Sequence, residues 1–459
     1  MLMINVTDVT KTIDSKNIFE DVAIQIYEGD RIGLVGKNGS GKTTLLNMLM
    51  GYDMDYKGVI DTHCTLSCMP QLAYMLSGTR SGGEYTKDKI YKALRAQADI
   101  LILDEPTSNL DMDSIMHLER QLTRVKTSII ISHDEGLLAS VCNKIMAIEH
   151  NEIKTYSMDY ETYKHRIEND KSSAQDNYES YLAERAKLSK GIKNVKRKAK
   201  KIKKAPSRMG NSEARLHKRE AGERRSKIEA HGKSIESRLS QLTIIEKPFI
   251  AKEVRIEVLS EVSIHSQLLI DVYALSVQFG SRMIFNNARF KMENYQKIWL
   301  QGCNGSGKST FLKMIIEKDE HVNLARNLKI GFFDQKLEHL NYEATILENV
   351  MDTSSRGEQD IRTILGNMLF RRDDVYKAIN ILSGGELDKV AFAKILLSDI
   401  NLLILDEPTN YLDIETRHVM LEALKHYEGA ILFVTHDRAF GNELADWVYE
   451  IKNLAIHMR

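Results

Sequence analysis

Two glycine-rich runs in this sequence have the residue types and spacing to hold a phosphate. The first is Gly36, Lys37, Asn38, Gly39, Ser40, Gly41, Lys42 and Thr43, followed by Thr44; the second is Gly302, Cys303, Asn304, Gly305, Ser306, Gly307, Lys308 and Ser309, followed by Thr310. Glycines let successive backbone N–H groups turn inward around phosphate oxygens, and a helix starting at the lysine adds its positive end. Lys42 and Lys308 are expected to reach the β- and γ-phosphates of a nucleotide, while Thr43 and Ser309 offer hydroxyls to Mg²⁺. Each run follows an apolar strand-like segment (Ile32 to Val35, Lys297 to Leu300) and precedes a helical pattern (Thr44 to Leu49, Thr310 to Ile315), the context such a loop requires.

Two further carboxylate pairs suit the same chemistry. Four apolar residues precede Asp104 and four precede Asp406, the pattern of a parallel strand covered on both faces. Ligands of such sheets lie at the strand ends, where these aspartates emerge. Asp104 and Asp406 are expected to hold Mg²⁺ through water, and Glu105 and Glu407 to orient or activate the attacking water. His133 and His436, each just after a β-branched run, are positioned to contact the γ-phosphate.

The elements that must position these groups occur twice, in one order. GKNGSGKT, Gln71, SGGE (Ser81, Gly82, Gly83, Glu84), ILILDEPTSNLD and IIISHD are followed by GCNGSGKS, Gln335, SGGE (Ser383, Gly384, Gly385, Glu386), LLILDEPTNYLD and LFVTHD. The set resembles the ATP-binding-cassette ATPases. That resemblance implies two tandem α/β P-loop NTPase domains closing head to tail, each using ATP and Mg²⁺. It implies that Gln71 and Gln335 join the Mg²⁺ sites. It also implies one composite site from Lys42, Glu105 and Ser383 to Glu386, and another from Lys308, Glu407 and Ser81 to Glu84. Departures from the family pattern make the halves unequal. Phe279 matches the aromatic that stacks on adenine, but Ile13 stands in its place in the first half. Only nine residues separate Gln71 from Ser81, against 47 between Gln335 and Ser383, so the first cassette is expected to have a reduced helical subdomain.

The whole chain balances 64 Lys+Arg against 64 Asp+Glu, but the charge is segregated. Lys187 to Lys233 holds 18 Lys+Arg and 4 Asp+Glu, a surplus of 18 − 4 = +14 that the remainder offsets. Lys187 to Lys204 carries nine lysines, one arginine and no acid. A run so one-sided is built for a polyanion, and without aromatics it suits RNA phosphates and shape better than base stacking. Leu188, Ile192, Val195, Ala199 and Ile202, then Ile228, Ile235, Leu239 and Leu242, fall at coiled-coil spacing around a break at Ala205 to Asn211. The expectation is a long basic α-helical hairpin, its first helix about 65 to 70 Å long at 1.5 Å per residue. Expected boundaries are 1–159 for the first cassette, 160–248 for the hairpin with its tip at 205–211, and 249–459 for the second.

Twin cassettes joined by such a hairpin resemble the ABC-F translation factors. Within them, Lys203 to Glu220 and the reduced first cassette look most like the members that protect ribosomes from lincosamides, streptogramin A and pleuromutilins. The resemblance implies binding at the ribosomal E site, against large-subunit rRNA and P-site tRNA, by a cytoplasmic monomer with no membrane or DNA partner. The C-terminal extension found in some relatives is expected to be absent, since the chain stops about 20 residues after His436. Lys193, Lys196, Lys200, Lys203 and Arg208 are expected to face RNA. Met209 either approaches the drug pocket or packs on its own hairpin. A housekeeping or stress translation factor and the ATPase subunit of a transporter are the alternatives. No transmembrane segment or signal peptide is expected, since the apolar runs are strand-sized and the first residues alternate. Four scattered cysteines offer neither a disulfide framework nor a zinc site.

Overall fold

A computed structural model describes the chain apart from residues 14–15, 71–81, 150, 202–210, 246–265, 334–339, 369, 371, 410–411 and 413. By internal contacts the chain divides into two compact units, Met1–Tyr163 with Ala251–Arg459, and Lys164–Ile250.

The first unit holds the same architecture twice. In the first cassette, β1 (Leu2–Ile13) pairs antiparallel with β2 (Lys16–Tyr27) and with β4 (Lys57–Thr62). The main sheet has the order β5-β6-β7-β3-β8-β9, from β3 (Arg31–Gly36), β5 (Leu66–Met69), β6 (Ile100–Asp104), β7 (Ser128–Ile131), β8 (Lys144–Glu149) and β9 (Glu152–Tyr156). All neighbours are parallel except β9, which returns antiparallel along β8. Helices α1 (Lys42–Leu49), α2 (Gly82–Arg95), α3 (Met112–Leu122) and α4 (Glu135–Val141) complete it.

The sheet is buried on both faces because its strands are continuously apolar rather than alternating. On β6, Ile100 and Ile102 pack with Leu45 and Leu46 of α1, whereas Leu101 and Leu103 pack on the opposite side with Leu118 and Leu122 of α3. This two-sided burial brings Asp104 out at the strand's C-terminal end, just behind the P-loop.

The long helices α5 (Tyr160–Lys201) and α6 (Asn211–Ser240) follow. At 42 residues and 1.5 Å each, α5 is about 63 Å long. Within the second unit the helices run antiparallel, with Arg238 paired to Glu184 at 3.4 Å and Lys196 to Glu236 at 3.0 Å. Leu188, Ile192, Val195, Ile228, Ile235, Leu239 and Leu242 are half-buried between mostly exposed neighbours, as their spacing predicts. Two glycines sit in this seam. A Cβ on Gly232 would lie 3.0 Å from Val195, and one on Gly191 would lie 3.6 Å from Ile235.

The second cassette repeats the plan. β10 (Leu268–Phe279), β11 (Arg282–Glu293) and β13 (Val322–Leu324) make its small sheet. β12 (Lys297–Gln301), β14 (Ile330–Phe333), β15 (Leu402–Asp406), β16 (Ala430–Val434), β17 (Trp447–Lys452) and β18 (Ala455–Met458) make the main one, ordered β14-β15-β16-β12-β17-β18. Its helices are α7 (Lys308–Glu317), α8 (Ile346–Met351), α9 (Glu358–Asn367), α10 (Gly384–Leu396), α11 (Ile414–Lys425) and α12 (Arg438–Leu444). Helices α8 and α9 lie between β14 and α10 and pack into a core with Phe333 and Phe392. Between β5 and α2 the first cassette has only residues 70–81.

Candidate functional site

Both glycine-rich runs form the strand–loop–helix turn their context predicts. Gly41 and Gly307 adopt φ of +100° and +103°, a region that L side chains rarely enter. A Cβ on Gly41 would lie 2.6 Å from Ile18, and one on Gly307 2.4 Å from Ile284. The loops can therefore close over the preceding hairpin only with glycine. Lys42 Nζ donates to the carbonyls of Gly36 and Lys37 at 2.7 and 3.0 Å, and Lys308 Nζ to those of Gly302 and Cys303 at 2.7 and 3.2 Å. Each ammonium thus sits inside the curl of its own loop. The Ser40 and Ser306 hydroxyls, at matching positions, are buried without a hydrogen-bond partner among the described residues. Buried hydroxyls in that state call for an acceptor from outside the protein.

Thr43 Oγ1 donates to Asp104 Oδ2 at 3.2 Å, so the hydroxyl after the P-loop lysine and the carboxylate ending β6 meet. Both are hard oxygen donors of the kind Mg²⁺ takes. Ser309 and Asp406 occupy the same places in the second cassette, as the second residue of α7 and the last of β15. The glutamates that follow share an uncommon backbone, with φ of +52° at both Glu105 and Glu407. That turn swings each carboxylate beneath its histidine. His133 N–H donates to Glu105 Oε2 at 3.4 Å and His436 N–H to Glu407 Oε2 at 3.2 Å. The other oxygens lie 3.4 and 3.1 Å from the ring Nε2 atoms, yet neither Oε1 receives an aligned hydrogen bond.

Electrostatics set these carboxylates apart. Burial, aided by the nearby Asp104 charge, pushes Glu105 up to about 8. Burial pushes Glu407 up to about 7, against the pull of Lys308. His436 is held down at about 4 by burial and then by Lys308, so its ring is neutral near pH 7. A buried carboxylate titrating near neutrality beside a phosphate loop is suited to accept a proton from water.

The two cassettes also meet. Asn304 of the second P-loop donates its backbone N–H to Asp111 Oδ2 at 3.0 Å and its side-chain Nδ2 to the Asn109 carbonyl at 2.7 Å. Gly83, in the first turn of α2, packs so close that a Cβ would lie 2.7 Å from Asn304 Nδ2. The structure therefore brings together the second P-loop, the first cassette's SGGE helix and its Asn109–Asp111 loop. At the other SGGE, Ser383 N–H and Oγ–H both donate to Glu386 Oε2, at 2.9 and 2.7 Å, across the start of α10.

Several expected site residues fall outside the described residues: Gln71, Ser81, Gln335, Lys203, Arg208 and Met209. Phe279, 60% exposed, and Ile13, 41% exposed, close equivalent hairpins opposite Arg282 and Lys16. Lys193 is exposed on α5, and Lys196, also exposed, lies 3.0 Å from Glu236 of α6. Sequence reasoning missed the role of Asp111, which both caps α3 through Ser114 N–H at 3.0 Å and reaches the second P-loop. The Asp-x-x-Ser spacing signalled the cap; nothing local signalled the partner.

Twin P-loops, each backed by a strand-end aspartate and glutamate, one of them meeting the glycine-rich helix of the other cassette, define an ABC-type ATPase. The family described as ABC transporter matches residues 19–74 and 285–410. The chain is 30% identical over 94% of its length to the erythromycin resistance ATP-binding protein MsrA of Staphylococcus epidermidis, 94% of which is covered. It is 28% identical to the ribosome protection protein VmlR of Bacillus subtilis, covering 95% of this chain and 84% of that one. A solved structure of an RNase-L inhibitor covers 97% of the chain with a TM-score of 0.63 at 18% identity, a likeness of fold. This chain belongs to the ABC-F family of ATPases. Among its described residues no helix is long and apolar enough to cross a membrane.

Proposed function

We propose that this ATPase acts on the ribosome, closing its cassettes around ATP so as to present α5 and α6 to RNA, and that it thereby protects the peptidyl-transferase region from antibiotics. The observation that carries the ribosomal reading is the +14 surplus of residues 187–233, a sequence run whose lysines, such as the exposed Lys193 of α5, have no use in hydrolysing ATP. Similarity to MsrA and VmlR, whose names state resistance and ribosome protection, supports the drug-protective form. The E site, large-subunit rRNA and P-site tRNA are the contacts proposed, with residues 205–211, including Arg208 and Met209, nearest the drug. Domain limits of 1–159, 160–248 and 249–459 belong to the same reading.

At each nucleotide site the P-loop N–H groups and Lys42 or Lys308 bind the β- and γ-phosphates, and the orphaned Ser40 and Ser306 hydroxyls find acceptors there. The SGGE helix of the opposite cassette grips the far side of the γ-phosphate. Thr43 with Asp104, and Ser309 with Asp406, would hold Mg²⁺, with Gln71 and Gln335 completing the sets; the ion would neutralise phosphate charge. Glu105 and Glu407 accept the proton of the attacking water, and the histidine N–H groups keep their carboxylates oriented. Hydrolysis then releases the grip across the seam.

The test uses the double variant E105Q/E407Q. It is expected to sediment with ribosomes in ATP and much less in ADP. The parent protein should raise the drug tolerance of a sensitive host, and shortening Ser207 to Asn211 by two residues should reduce that tolerance while sparing ATPase activity. Ribosome association without any protection would instead favour a housekeeping translation factor. Equal sedimentation in both nucleotides would remove the closure reading.

A further inference from the structure

The two cassettes touch at a second place, away from the second P-loop, and there the repeat is broken. Arg417 on α11 and Ile115 on α3 occupy the same position, each four residues past the aspartate that ends the LDEPTxxLD motif. Both are buried. Ile115 packs into the core of its own cassette. Arg417 instead crosses the seam, donating from one terminal nitrogen to the His133 carbonyl at 2.6 Å and to Asp437, the N-cap of α12. His133 is the residue whose N–H holds Glu105, so a single α-carbon separates the carbonyl that takes the guanidinium from that carboxylate's donor.

The surrounding seam has one polarity. His418 lies 2.9 Å from Glu135 and Arg438 lies 3.6 Å from Glu119, so the second cassette supplies the basic partners and the first the acidic ones. These pairs flank Arg417 and fix where α11 meets the His133–Glu135 turn. A buried, charge-assisted hydrogen bond to a backbone carbonyl is directional enough to set that turn. Misplacing a catalytic group by about 1 Å can lower a rate roughly 100-fold.

We infer that Arg417 is a positioning residue for the first cassette's ATP site, holding the His133 turn and through it Glu105 only while the second cassette is docked. The inference rests on the reading of Glu105 as the water-activating group. Ile115 gives the second cassette's His436 turn no such support, so among the described residues it is the His133 turn whose backbone is held by a buried cation of the other cassette.

The experiment measures steady-state ATPase of the full chain in two backgrounds. E407Q leaves turnover to the Glu105 site, and E105Q leaves it to the Glu407 site. Adding R417M should lower kcat roughly tenfold or more in E407Q with KM for ATP changed less than about threefold, and should alter kcat less than about threefold in E105Q. R417K, which keeps a cationic donor, should recover part of the E407Q rate. Should R417M fold poorly because Asp437 loses its partner, R417M/D437N removes the stranded charge while Asn can still cap α12, and the same split is expected. Equal losses in both backgrounds, or no loss in E407Q, would overturn the inference. If the E105Q/E407Q double variant turns over as fast as E407Q, it is the Glu105 reading that fails, whatever R417M does.

Discussion

Asp111→Ala would remove a helix cap, made with the Ser114 N–H and hydroxyl, and a contact across the seam, all from one buried side chain. Asp111 Oδ1 accepts from the Ser114 N–H at the start of α3, and Oδ2 accepts from the Asn304 N–H across the seam, both at 3.0 Å. Losing an N-cap costs about 1 kcal/mol, and losing a charge-assisted hydrogen bond about 1.5 to 3 kcal/mol, so the expected loss is about 2.5 to 4 kcal/mol. The acidity those same donors impose on the carboxyl leads to a consistent figure. Burial acts to raise this carboxyl, but the Ser114 hydroxyl and the Asn304 and Ser114 N–H donors outweigh it and hold it at about 2, against an ordinary 3.8. That difference corresponds to about 2 to 3 kcal/mol. A depressed folded-state value means the stabilisation is complete above about pH 4 and fades as pH falls through 2, so the penalty should be constant from pH 5 to 8. Urea unfolding measured by circular dichroism and by tryptophan fluorescence separates the two contacts, because both tryptophans, Trp299 and Trp447, lie in the second cassette. Asp111→Asn, which keeps a capping oxygen, should recover the capping part but not the charge-assisted part. A total loss below about 1 kcal/mol for Asp111→Ala, or a penalty that changes between pH 5 and 8, would refute the reasoning.

The double variant E105Q/E407Q should bind ATP with near-parental affinity and hydrolyse it at least about 100-fold more slowly in phosphate-release assays; full turnover would remove both glutamates from the reaction. A carboxylate must be ionised to take a proton, so each site's rate should rise with pH through its glutamate. With Glu407 at about 7 and Glu105 at about 8, the E105Q protein should reach half its maximal rate about one pH unit below the E407Q protein, and the reverse order would refute the assignment. Gly307→Ala, with φ of +103° and a Cβ 2.4 Å from Ile284, should cost about 2 kcal/mol or more and abolish fluorescent-nucleotide binding at the second P-loop. Replacing Lys193, Lys196, Lys200 and Lys203 by Gln should weaken ribosome binding and reduce the slope of log affinity against log salt by about 3; an unchanged slope would mean these lysines do not meet phosphate.

The fold was legible wherever a local rule determined it. Continuous apolar runs before Asp104 and Asp406 could belong only to strands covered on both faces, and each does alternate its side chains between two cores. The heptad spacing of α5 and α6 likewise reports the half-buried seam. What could not be read were relations between distant residues. Nothing around Arg417 marks it as the partner of a carbonyl 284 positions away, because its charge looks like any helix surface charge until the cassettes dock. A glycine weakens a helix in isolation, and at Gly232 only the close approach of Val195 on the partner helix explains it. The positive φ at Glu105 and Glu407 was equally hidden, since glutamate has no preference for that region and the surrounding turn imposes it.

Carrying two copies of one sheet architecture on a single polypeptide has a consequence for how such a molecule can change. In a symmetric homodimer every substitution is made twice, so an arginine introduced at one face of the contact appears at the other as well. Here the copies are covalently joined but genetically separate, and a position such as 417 can acquire a crossing side chain while position 115 keeps its isoleucine in the core. Tethering therefore frees each half to drift on its own, without first breaking the pairing that makes either work.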